Sequence, residues 1–534
     1  MSEPEPSGSF PPPAPALSDA RLAALIAAAL FGLAAWPLLL VDLPQLQDLP
    51  NHVATAHIIA HPDLYPEYAF NGLFKSNCLL TLWFHLFGGH GLFGAARVFV
   101  ALVLAINAIA LPVFILRFAG RQALVVAALF VWPMVHSFSV ARGFLNFAFA
   151  FGLSLILLVL IDRQRERATP ARGAGIALTA CALWYAHPFP LMVVGALAAL
   201  HAATRPGWAG RRAAAVALLL PLAPAALLSA ASARAHLVKD AHSTAAASAT
   251  SFYYQSPWEM LAHLWTDVSG AVTLAGSMTV VPALLLAWYA WRRRHLERPL
   301  LSRAALACLI AAYVALPMML SNWWHLNCRL VPYLWAGLAL RLPDRVPRSV
   351  AGVLAVCALS FSVVTGVDYR RLDRDRAEFT AGIDAVPERA TLLPLLFNHS
   401  KTSAYMASLT HAWADYTLAK NTSAPFVFAV ERSYPIIYRE FPPPALIPPA
   451  LDRFARDNAT PALVCRRLNQ SPDDASCAGT WRALWDGFWR QATPRFSHLL
   501  VWAIPPEARP VIPPAYRRVF AAGDLEIYAR GAGN

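Results

Sequence analysis

Apolar stretches close to membrane length follow one another along this chain, and the loops between them alternate between two kinds. One kind is short and rich in arginine: Arg163, Arg165, Arg167 and Arg172; Arg205, Arg211 and Arg212; Arg292, Arg293, Arg294, Arg298 and Arg303; Arg341, Arg345 and Arg348. The other kind is poor in arginine and carries histidines, acids and tryptophans. Cytoplasmic loops of membrane proteins retain the excess of Lys and Arg, so the first kind is expected inside and the second outside. A chain patterned this way is constrained to a bundle of membrane helices whose polar chemistry gathers at one edge.

Apolar runs at roughly 21–41, 92–117, 121–136, 143–161, 173–187, 188–204, 213–231, 268–291, 303–321, 328–341 and 349–367 predict about eleven transmembrane helices, several shorter than the ~20 residues a bilayer asks for. The stretch from Cys78 to Phe87 reads as a partial span or an interfacial helix. An odd number of spans with the N-terminus inside puts the C-terminus outside and every Arg-rich loop inside. Residues 1–20, rich in Pro and Ser, read as a disordered cytoplasmic tail without the basic start and cleavage site of a signal peptide. At 57% hydrophobic and 14% charged residues, a soluble globule is excluded. The net charge of +13 resides largely in the inner loops rather than in a basic stripe with aromatics, so nucleic acid is not an expected partner.

The fold class expected is mainly α: a polytopic membrane helix bundle over 21–367, with large outer loops at 42–91 and 232–267, and a C-terminal extracytoplasmic α/β domain over 368–534. That last portion loses the transmembrane pattern and gains Pro, Asn and Asp, with β-like runs at 425–430 and 499–502. Of seven cysteines, Cys465 and Cys477 lie close together in the outer portion, and a disulfide is expected there in an oxidising compartment. The other cysteines read as single buried thiols.

The outer loops hold the candidate chemistry. Asp42 ends the first span, and Asp48 follows in Gln47-Asp48-Leu49-Pro50-Asn51-His52, ahead of a short surface helix on which His57 and His61 share a face. A carboxylate at a membrane boundary is costly to desolvate, which raises its pKa toward that of a general base. Asp48 also suits a helix N-cap with Pro50 in the first turn, and the two roles are compatible. Other outer turns supply His136 with Arg142, His187 before Pro188, and His325, Asn327 and Arg329 after Trp323-Trp324. Arginine suits bidentate phosphate contacts and histidine can donate protons. The loop carrying Arg234, His236, Lys239, Asp240, His242, Tyr253, Tyr254, Gln255, Trp258 and Glu259 could close over such a site. Each of these also has a plainer reading as an interfacial anchor or solvated loop. No cofactor is expected. A divalent metal is a lesser reading, since His57 and His61 lack the glutamate of a His-Glu-x-x-His site.

The segment Gln47-Asp48-Leu49-Pro50-Asn51-His52-Val53-Ala54, just after the first span, together with the many spans and the outer C-terminal domain, resembles the GT-C superfamily of polytopic glycosyltransferases, including uncharacterised bacterial members. Gly143-Phe144-Leu145-Asn146-Phe147 also looks like a segment of uncharacterised bacterial membrane proteins. The GT-C resemblance implies an inverting transferase that takes a sugar from a polyprenyl-phosphate donor and passes it to a lipid or polysaccharide acceptor. It places the enzyme in the bacterial inner membrane with its site on the periplasmic face. It implies Asp48 as the base, and Arg142, Arg329 and the nearby histidines on the phosphate. Those proteins usually carry a second acid beside the first, but here Leu49 follows Asp48, with Asp42 the nearest alternative. The rival functions are another lipid-linked-glycan enzyme (ligase or polymerase), a transporter, and a membrane scaffold whose outer domain binds a partner. A transporter would place ionisable groups at midspan, where this chain has almost none.

Overall fold

The structure is a computed structural model that describes residues 17–236, 252–269, 277–320, 323–398, 408–471 and 475–531. Tail residues 1–16 and the loop residues Lys239, Asp240 and His242 lie outside these. Each expected apolar segment carries a helix. Among the described residues six helices are long and apolar enough to cross a membrane: Asp19–Leu39, Leu92–Ala119, Arg121–Ala141, Leu145–Glu166, Trp208–Ser232 and Arg348–Ala385. Pro188–Ala203 and Arg303–Ala315 are apolar but shorter.

The chain enters through α1 (Asp19–Ala35), capped by the Ser18 hydroxyl, which accepts from the Arg21 N–H. Next come α2 (Leu49–Ala60), β1 (Tyr68–Phe70) and α3 (Leu79–Phe87) in the segment 42–91, then α4 (Leu92–Ala119) and α5 (Arg121–Val131). After the short α6 (Phe138–Ala141) follow α7 (Leu145–Glu166), α8 (Pro170–Ala186) and α9 (Pro188–Ala203). At 1.5 Å per residue, α7 is roughly 33 Å long, so its start beside Arg142 and its end among the arginines lie at opposite faces of a bilayer-thick bundle. The arginine end is tied together by Asp162, which accepts from Arg117 Nε at 2.6 Å and Arg165 Nε at 2.9 Å. Close helix contacts rest on small residues. A Cβ on Gly152 of α7 would stand 2.5 Å from Asn107 of α4. One on Gly366 would stand 2.2 Å from the Trp36 ring at the end of the first span.

The C-terminal domain is α/β, as its composition indicates. Its four-stranded sheet runs in the order β5 (Leu392–Leu396), β7 (His498–Trp502), β9 (Leu525–Arg530), β8 (Tyr516–Ala522). β5 and β7 are parallel, while β9 is antiparallel to both β7 and β8. Every residue of β5 and β7 is buried, as fits strands covered on both faces. The helix Ala475–Ala492 supplies Trp485, Phe488 and Trp489 to that cover, and Cys465 is disulfide-bonded to Cys477 at its start, with Cα atoms 5.6 Å apart.

Two features join this domain to the bundle. The helix Arg348–Thr380 runs unbroken from the membrane part to Phe379 in the domain core. The segment 42–91 enters the same core through Ala54, Ile58, Tyr65 and Tyr68, and β1 pairs antiparallel with β6 (Ile436–Tyr438). The expected strand over 425–430 is absent: that segment is irregular, and the Asn51 side chain takes backbone groups that a strand partner would have used.

Candidate active site

Asp48 stands at the N-cap position of α2, yet its carboxylate makes no capping hydrogen bond. The side chain is therefore turned to other partners. Its backbone is pinned from the opposite side: the Gln47 and Asp48 N–H groups donate to the Ala141 and Arg142 carbonyls, each at 3.2 Å. The close approach needs Gly143, whose φ of +78° and lack of Cβ let the turn lie against Asp48; a Cβ there would stand 2.7 Å from the Asp48 nitrogen. The same turn delivers Arg142, which donates to Gln47 Oε1 and lies 5.1 Å over the Phe138 ring. Burial pushes the Asp48 carboxyl up to about 7, against the pull of Arg142, the Gln47 hydrogen bond and Arg329.

Arg329 precedes the buried helix Val331–Ala339 and lies 5.2 Å over both Phe144 and Phe147. Its Nη1 meets His187 Nε2 at 2.6 Å, its Nη2 donates to the Trp324 carbonyl at 3.4 Å, and its buried Nε has no partner among the described residues. His187 caps α9 by accepting the Phe189 N–H at Nδ1. Both ring nitrogens of His187 therefore face donors, although a neutral imidazole has one lone pair. An acceptor between His187 and Arg329 would relieve that conflict. His325 completes this side. It is buried with a left-handed φ of +56°, and packs against Phe138 and Phe144 with ring centroids 4.9 and 5.9 Å away. Burial, then Arg142, His263 and Arg329, holds its ring well below the usual imidazole range, so it is neutral.

The C-terminal domain closes the third side. His411 places Nε2 3.7 Å from Asp48 Oδ1, and Asn51 Nδ2 lies 3.2 Å from His411 Nδ1. Tyr434 stacks on Phe428 at 5.4 Å; burial first, then Glu431 and Asp48, raise its phenol, which stays protonated. His52 packs edge-on against Phe428 at 5.5 Å, and burial lowers its ring to about 4.

Of the residues singled out in the sequence, Asp48, Arg142, His187, His325 and Arg329 are brought together, with His52 alongside. Asp42 is exposed, and its charge bears on Asp373 and Arg376 rather than on Asp48's group. His57 faces the C-terminal domain, with Nε2 2.9 Å from Asn421 Oδ1 and its ring 4.6 Å from His61. His136 bonds the Tyr369 hydroxyl at 2.9 Å on the long helix. Asn327 is buried and donates to Gln255 Oε1 at 2.9 Å, a brace between loops. Tyr253 and Tyr254 are exposed on the rim, where β2 (Phe252–Tyr253) pairs with β3 (Met319–Leu320) and β3 with β4 (Trp323–Trp324). Sequence reasoning missed Asn51, His411 and Tyr434. The scarcity of histidine in the C-terminal portion was the one signal that could have raised His411.

Among the described residues no group of three or more His, Cys, Asp or Glu side chains is set to hold a metal ion. No family model matches the chain, and no curated protein matches it either. Solved structures similar to it include the following two. One is ArnT from Cupriavidus metallidurans bound to undecaprenyl phosphate, at 12% identity over 96% of this chain and 98% of that chain, with a TM-score of 0.46. The other is the arabinofuranosyltransferase AftD from Mycobacteria (mutant R1389S), at 15% identity over 97% of this chain and 42% of that chain, with a TM-score of 0.48.

Proposed function

We propose that this chain is a GT-C-type membrane glycosyltransferase that moves a sugar from a polyprenyl-phosphate donor to a hydroxyl of a lipid or glycan acceptor, with inversion. The observation that carries the reading is the pairing of one raised carboxylate, Asp48, with the donor cluster of Arg142, Arg329 and His187. A base that titrates near neutrality and an anion-accepting pocket beside it are what transfer from a sugar phosphate requires. In the reaction, ionised Asp48 takes the acceptor's proton while its oxygen bonds to the anomeric carbon. The bond from that carbon to the phosphate oxygen breaks, and the electron pair leaves with the polyprenyl phosphate. Arg142 and Arg329 balance the phosphate charge, and His187 donates to it. The Arg-rich ends of the helices face the cytoplasm in this reading, and Asp48 faces the outer side of the inner membrane.

Transfer of labelled sugar from a panel of polyprenyl-phosphate donors by the purified protein tests the reading, beside Asp48→Asn and Asp42→Asn. Loss of turnover in Asp48→Asn alone, with folding and donor binding intact, supports Asp48 as the base. Transfer that survives Asp48→Asn removes it from that role.

A further inference from the structure

We propose that His411, contributed by the C-terminal domain, is a positioning residue for the Asp48 carboxylate, its ring locked by Asn51 so that Nε2 carries the proton. The lock follows from groups that cannot exchange donor and acceptor roles. The Phe428 N–H donates to Asn51 Oδ1 at 3.2 Å, and Asn51 Nδ2 donates to the Phe426 carbonyl at 2.7 Å. Two peptide groups thus fix which end of the amide is nitrogen. The second Nδ2 hydrogen remains for His411 Nδ1 at 3.2 Å, which must accept. The neutral ring then bears its hydrogen on Nε2, the nitrogen 3.7 Å from Asp48 Oδ1.

The ring is also held in place. Phe428 and Trp413 meet it edge-on at 5.3 and 6.3 Å. Four residues on, Asp415 accepts two bonds from Arg376 at 2.8 and 2.6 Å, which fastens this segment to the long helix. Asp48 is faced by Arg142 from the turn before α7, Arg329 from before Val331–Ala339, Tyr434 from the loop before β6, Gln47, and His411. A ring locked in this tautomer can aim a carboxylate but cannot take a proton from it. His411 therefore orients the base and does not relay its proton.

Catalytic relevance rests on the transferase reading, but the placement is measurable without substrate. The Asp48 carboxyl stretch is titrated by infrared difference (each protein minus its Asp48→Asn form) in the full chain, His411→Leu and His411→Gln, each matched for melting temperature. Glutamine can accept from Asn51 and donate to Asp48, whereas leucine can do neither. His411→Leu is expected to bind the Asp48 proton about threefold tighter, raising the midpoint by about 0.5 in pH, with His411→Gln at the wild-type midpoint. Transfer is expected to fall on the order of tenfold in His411→Leu and to recover in His411→Gln. Equal midpoints in all three proteins would overturn the proposal, as would His411→Gln failing alongside His411→Leu. Shifted midpoints without transfer from any donor would uphold the placement and count against the transferase.

Discussion

Gly143→Ala should be the most disruptive single-methyl change near the site. A side chain at φ +78° costs about 1–2 kcal/mol for an L-residue. The added Cβ would also meet backbone atoms that have no side-chain freedom to yield: the Asp48 nitrogen at 2.7 Å, the Leu49 nitrogen at 3.0 Å and the Asp48 Cα at 3.1 Å. Restoring ordinary contact moves the Asp48 backbone by about 0.7 Å. That stretches the bond from the Asp48 N–H to the Arg142 carbonyl, now 3.2 Å, past a useful length, at a cost of about 1 kcal/mol. The sum is about 2–3 kcal/mol, a drop of several degrees in melting temperature. A shift of that size at the base should lower transfer by up to about 100-fold. Gly94→Ala in α4 is the control, since its Cβ would meet nothing within 4 Å; it should be neutral or stabilising by up to ~1 kcal/mol. Melting curves in detergent, followed by transfer assays, read both effects. A Gly143→Ala protein with wild-type melting and turnover would refute the account of how Asp48 is held.

Three further outcomes follow from charge and burial. Transfer should rise with pH through about 7 as Asp48 loses its proton, and the same group links pH to stability. The native carboxyl keeps its proton up to about 7 and the unfolded one only to 3.8, so this group's contribution to stability declines as pH rises between those values and is level above them. Melting temperature against pH should show that decline in the wild type and not in Asp48→Asn, which should be the more stable protein above pH 7. Arg376→Ala should cost about 3–5 kcal/mol by leaving Asp415 buried and alone, whereas Arg376→Met with Asp415→Leu should cost far less; denaturant melts of the three proteins check this.

The membrane bundle was legible because its signals are long and redundant: hydropathy marks the helices and arginine marks one end of each. Asp48, Arg142, His187, His325 and Arg329 were legible for a related reason. A polar side chain at the end of an apolar helix has few places to go, so end residues of successive helices converge. Asp42 shows the limit, since five residues of irregular chain separate it from Asp48 and its charge bears on Arg376 instead. The run at 425–430 has strand composition, but strands are made by partners, and its partner is the side chain of Asn51. His411 was hidden because its contact with Asp48 spans more than 360 positions and leaves no local pattern. Asn51 looked like a helix residue, and its task is set by peptide groups from the far end of the chain.

The unbroken helix Arg348–Thr380, together with the pairing of β1 with β6, bears on how such a protein can be re-engineered or diversified. A C-terminal domain that owns neither its first helix nor its full set of strands is not a transferable module. A chimera cut at the apparent boundary near 368 would sever a helix in mid-course and strand Tyr65 and Tyr68 without their core. Exchange of the C-terminal domain between related chains should succeed only when residues 43–70 travel with it and the junction falls before Arg348. Natural variation in the two pieces is then expected to be inherited as one.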